Sequence, residues 1–157
     1  MAAAQPNRAI VLGNLPEPVV QMLLQIPLAE ELGSPDAEER LFPEPSSDSQ
    51  MVEDWKAYVQ PGLLEAFRSD REVVASDLKR MRAAKGQHSL EIPLNHADAW
   101  LGALNQLRLA IATVHQLSDA ELSREEVGDV QSPRDLAVVR VHFYGYLQHV
   151  ILDALED

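Results

Sequence analysis

The chain has 157 residues, 46% hydrophobic and 24% charged, enough for one globular domain with its own core. Lacking cysteine, it can form no disulfide, thiolate metal site, iron–sulfur cluster or cysteine nucleophile. Its 25 acidic residues against 13 basic ones leave a net charge of −12, a field that repels a nucleic-acid backbone.

The absence of cysteine suits a reducing, cytoplasmic compartment. Residues 1–7 read as a flexible arm, and residues 8–157 as a single helical domain. The first apolar run is broken by Gly13, Asn14 and Pro16, which does not fit a secretory signal. No apolar run approaches the roughly 20 residues of a membrane-spanning helix, so no membrane partner is expected.

Arg8–Leu12 is short and β-branched and reads as a strand ended by Gly13-Asn14. Pro16 and Pro18 suit the first turn of a helix whose apolar face is Val19, Val20, Leu23, Leu24 and Leu28, bent or broken at Pro27. From 33 to 50 proline, serine and acidic residues dominate, and the segment reads as a loop. Within it Arg40-Leu41-Phe42-Pro43 reads as an anchor onto the core. A helix is expected over Met51–Tyr58, an interruption at Pro61-Gly62, and a second helix over Leu63–Ala84 stopped by Gly86. Ser89–Leu94 alternates as a second strand, and pairing with Arg8–Leu12 would satisfy both backbones.

The strongest helical patterns lie in the last third. Asn95 is expected to cap a helix over His96–Leu117, with Trp100, Leu104, Leu107, Ile111 and Val114 as its seam. A short helix is expected over Asp119–Glu126, a turn at Gly128–Ser132, and a last helix from Pro133 to Glu156. Leu136, Val139, Phe143, Leu147, Val150 and Ala154 form its stripe, widened by Val141, Tyr144, Ile151 and Leu155. So wide a stripe calls for a bundle interior or a second copy, and a homodimer is expected. The fold class is therefore mainly α: a single-domain bundle of four to five helices with a minor two-stranded β element.

Chemistry is sparse. The five histidines show no metal-pair spacing; His142 and His149 stand seven apart, about 10 Å along a helix, and His149 with Asp153 makes an ordinary i,i+4 pair. No Gly-x-Ser-x-Gly elbow or phosphate-cradling glycine loop is present, so catalytic residues, metal and cofactor are all expected to be none. Acidic pairs such as Glu125-Glu126 read as solvating charges. From Arg68 to Lys85 six basic residues meet three acidic ones, a local +3 in an acidic chain. It holds no interleaved aromatics for base stacking, and dipole complementation at a helix end is the favoured reading. Asn105 and Arg108 flank the central seam. With Tyr144 and Gln148 they could fix an anion or carboxylate, or Arg108 could serve a structural network with Asp98, Glu91, Tyr144 or Gln148 as partners.

Trp100-x3-Leu104-Asn105-x2-Arg108-Leu109 with Thr113, Tyr144-x2-Leu147-Gln148 with Asp153-Ala154-Leu155, and Arg40-Leu41-Phe42-Pro43 carry a resemblance. The chain resembles an uncharacterised, largely helical bacterial family known as a domain of unknown function, often encoded beside the Clp protease N-degron adaptor. Ser46-Ser47-Asp48 stands where that pattern usually turns acidic. The resemblance implies a helical fold and a link to proteolysis by association, with no catalytic residues to carry over. Taken together, a non-enzymatic interaction or regulatory protein is expected, with a homodimer and a Clp-pathway protein as partners. The alternative is a small-ligand protein, possibly an enzyme, built around Asn105 and Arg108.

Overall fold

The computed structural model describes residues 8–42, 47–124 and 128–156. The arm expected at 1–7, Pro43 of the anchor and the Glu125-Glu126 pair lie outside them. The described residues form seven helices and three strands, more of each than expected.

Strand β1, Ala9–Leu15, is followed by α1, Glu17–Leu24, which carries its proline in the first turn. A 3-10 turn over Glu30–Gly33 leads into α2, Pro35–Leu41, where a loop was expected. Ser34 and Pro35 are a cap and a first-turn proline, and the Ser34 hydroxyl accepts from the Ala37 amide. The anchor behaves as expected: Phe42 is buried, its ring 5.1 Å from that of Phe67 and 6.4 Å from that of Trp55.

Helix α3, Ser49–Tyr58, is capped by Asp48, whose carboxylate accepts from Gln50 and Met51. Helix α4 runs over Gln60–Lys79, so Pro61 starts the helix where an interruption was expected. It also stops early. Arg82–Ala84 is strand β2, not the last turn of α4, and pairs with β3, Gln87–Pro93. Lys85 and Gly86 both have positive φ, 54° and 76°, the two-residue hairpin geometry that matches strand twist. The sheet order is β1-β3-β2, all antiparallel, with Ile10 opposite Ile92 and Leu12 opposite Leu90.

A 3-10 turn over Leu94–His96 precedes α5, Ala97–Val114, and no side-chain cap from Asn95 forms. Helix α5 is the centre of the domain, packed against α2, α4 and the long last helix. Trp100, Leu104, Leu107 and Ile111 are fully buried, as the seam predicts, while Val114 at its end is exposed. Helix α6, Asp119–Leu122, is closed by a capping box from Ser118 and Glu121.

Helix α7, Pro133–Glu156, buries the widening side of the expected stripe more fully than its centre line. Val141, Tyr144, Leu147 and Ile151 are inside, while Leu136 is exposed and Phe143 only partly covered. The face meets α5 of its own chain, so it needs no second copy to cover it. Among the described residues no helix is long and apolar enough to cross a membrane.

Candidate functional site

Of the four residues singled out by sequence, two meet. Arg108 lies half-buried on α5, its Nε donating to the Val141 carbonyl at 3.3 Å and Nη1 to Gln148 Oε1 at 2.7 Å. Gln148 Nε2 in turn donates to the Leu101 carbonyl at 3.4 Å. The guanidinium lies against Gly145 of α7, where a Cβ would stand 3.1 Å from its carbon, so the missing side chain makes the approach possible. Burial lowers the Arg108 pKa, and neither Asp98 nor Glu91 pairs with it among the described residues. Tyr144 is fully buried and spends its hydroxyl on the Met22 carbonyl at 2.8 Å. Asn105 is exposed, one turn before Arg108.

Two polar clusters were not visible in the sequence. Asp77, at the end of α4, has an exposure of 0%, yet its carboxylate accepts from three side chains. Trp100 Nε1 donates at 2.8 Å, His96 Nδ1 stands at 2.9 Å, and Arg80 completes the set. A buried carboxylate is tolerable only when so supplied with donors. Asp77 thereby ties α4 to the start of α5. The bond also fixes the His96 ring, leaving Nε2 as the nitrogen not engaged by Asp77. His96 forms one wall of a cleft of about 360 Å³, which Arg80, Arg82, Ser89, Glu91 and Asn95 also line.

The second cluster joins Glu31, from the first 3-10 turn, to Arg140 and His115. Arg140 bonds both carboxylate oxygens, at 2.6 and 3.1 Å, and His115 Nε2 lies 2.9 Å from one of them. Burial by itself would raise the Glu31 pKa, but the bonds from Arg140 and His115 outweigh it and bring it to about 2. The cluster pins the chain between α1 and α2 to the C-terminal end of α5 and the middle of α7. No group of three metal-ligating side chains is gathered among the described residues.

An apolar opening lies elsewhere. A cleft of about 370 Å³ runs between β1 and α7, lined by Val11, Leu12, Val19, Phe143, Tyr146 and Val150. Val11 is 63% exposed and Tyr146 67%. β1 is an edge strand, and the ladder phase is set by the Arg8 carbonyl accepting from Leu94 at 3.0 Å. With Ile10 and Leu12 in the bonded pairs, the amides and carbonyls of Ala9 and Val11 turn to the outer edge.

The model of one protein family, described as a domain of unknown function (DUF2017), matches residues 1–155. The chain belongs to that family. Comparisons with curated proteins and with solved structures find no match. In this DUF2017 chain the sequence reading located the Arg108–Gln148 contact through the flanks of two seams. It missed Asp77 and Glu31 because their partners stand far off in sequence, as far as 109 residues from Glu31 to Arg140. The one available signal was the basic run from Arg68 to Lys85, whose Arg80 and Arg82 both reach the cleft beside His96.

Proposed function

We propose that this chain is a non-enzymatic interaction protein that takes up an extended, basic segment of a partner along the outer edge of β1. The observation that carries the reading is an apolar cleft directly beside an edge strand with outward-facing backbone groups. An added strand would bond Ala9 and Val11 and lay alternate side chains against Phe143, Tyr146 and Val150. Edge strands of this kind are normally blunted by charge or proline, and Val11 does neither. Charge selects the occupant. The chain carries −12, and Glu17, Glu91 opposite Val11, and Asp153 three residues after Val150 stand near the cleft in sequence or register. A basic segment is attracted to that field, whereas a second copy brings its own −12. The association implied by the family resemblance makes proteins of the Clp adaptor pathway the first partners to assay.

Fluorescence anisotropy with two nine-residue peptides, valine alternating with lysine or with glutamate, tests the reading. The lysine peptide is expected to bind and to weaken with salt, and the glutamate peptide not to bind. Val11→Pro removes an outward N–H without touching the ladder, and Tyr146→Asp charges the cleft; each should weaken binding at least tenfold. Unchanged binding by both variants, or no binding of the lysine peptide, overturns the reading. So does self-association that Val11→Pro abolishes, since a second copy would then be the occupant.

A second reading, an anion site around Asn105 and Arg108, is favoured by one observation. The half-buried guanidinium bonds a carbonyl and an amide, with no carboxylate partner among the described residues.

A further inference from the structure

The basic run that stood out in an acidic chain ends at the cleft on the β2 side of β3, across the sheet from the β1 edge. Arg82 lies opposite Ser89 in the β2–β3 ladder, and both line the cleft. Ser89 alternates with the buried Leu90 and Ile92, so these polar residues project from the sheet face opposite the core. Arg80 reaches the same cleft while ion-paired to the buried Asp77, and His96 is held by that carboxylate through Nδ1. Asn95, which does not cap α5, lines the cleft as well.

We propose that this cleft binds a small phosphate monoester that also carries an ammonium or hydroxyl group. Two guanidinium groups, the Ser89 hydroxyl and the Asn95 amide supply donors of the kind that hold a phosphate dianion. A carboxylate would need only one guanidinium. Asp77 offsets the charge of Arg80, which still has further N–H groups to donate, so Arg82 supplies the positive charge not already paired. Glu91 is the one acidic lining residue, and it fits a ligand that offers a donor beside its phosphate. At about 360 Å³ the cleft is in the lower range of small-molecule sites, which sets the ligand at a few carbon atoms. The buried carboxylate behind His96 and Arg80 holds both side chains in place before the ligand arrives, which lowers the ordering cost of binding.

Amide chemical-shift titration of the full chain with phosphoethanolamine, inorganic phosphate and β-alanine tests the assignment. Phosphoethanolamine should bind with shifts at Arg82, Ser89 and Asn95, and tighter than inorganic phosphate. Arg82→Ala should weaken it at least tenfold. Arg82 is exposed and makes no ion pair among the described residues, so folding is unaffected, and an unchanged thermal melt checks this. Glu91→Gln should reduce the preference for phosphoethanolamine while leaving inorganic phosphate unchanged. The proposal is overturned if no phosphate probe binds, if Arg82→Ala binds equally well, or if β-alanine binds tighter than phosphoethanolamine. Binding of the phosphate probes and the effect of Arg82→Ala do not bear on the β1 edge, which these probes do not address.

Discussion

Glu31→Gln is the most exacting test of the packing described above. Glu31 is 8% exposed and holds Arg140 by both oxygens and His115 by one. Its pKa falls from an ordinary 4.5 to about 2 because those bonds overcome burial. That difference corresponds to about 3 kcal/mol of stability, on the order of what stranding one member of a buried pair costs. The sign follows from the depressed folded value. The stabilisation is complete above pH 4.5 and is lost as pH falls through about 2. Urea denaturation of wild type and Glu31→Gln should therefore differ by about 3 kcal/mol at pH 7, by less at pH 3, and by almost nothing at pH 2. The amide is isosteric with the protonated acid, so other carboxylates cancel between the two proteins. A difference that stays constant down to pH 2 would refute the reasoning.

Trp100→Phe removes the indole donor from the buried Asp77 and should cost about 2 kcal/mol in a urea melt, part from the lost bond and part from lost volume. Arg108→Ala leaves Gln148 and the Val141 carbonyl without their donor and should lower the melting temperature, by about 1–3 kcal/mol in stability. An unchanged melt would free Arg108 for the anion reading. Lys85→Asn places a residue tolerant of φ 54° in the hairpin and should raise stability by a few tenths of a kcal/mol up to about 1, read by calorimetry.

Periodicity made the centre of the fold legible and left its margins obscure. The α5 seam was readable because Trp100, Leu104, Leu107 and Ile111 repeat on one face and that face is the one buried. Helix α7 is apolar on more than one face, so periodicity alone could not say that Tyr144 and Ile151 face inward while Leu136 does not. Helix α2 was hidden by composition: only Ala37 of its residues is buried, and its acidic remainder resembles a loop. Strand β2 is Arg-Ala-Ala, residues that continue a helix as readily as they form a strand, and only Lys85-Gly86 marked the turn. Of the candidate site, the Arg108–Gln148 contact followed from two seams that had to face each other. Asp77 with His96, and Glu31 with Arg140, depend on tertiary packing that no spacing rule encodes. The β1 edge was half visible: the strand was expected, but its position at the sheet margin beside α7 required a third strand on the other side of β3.

The central claim, strand addition at β1, is tested most directly by residue-resolved amide hydrogen exchange of the full chain with and without the valine–lysine peptide. The account predicts that the outward amides of Ala9 and Val11 become protected while those of Ile10 and Leu12, already bonded to β3, and those of β2 stay as they were. Bound peptide with no added protection at Ala9 and Val11, or with protection confined to β2, would contradict it.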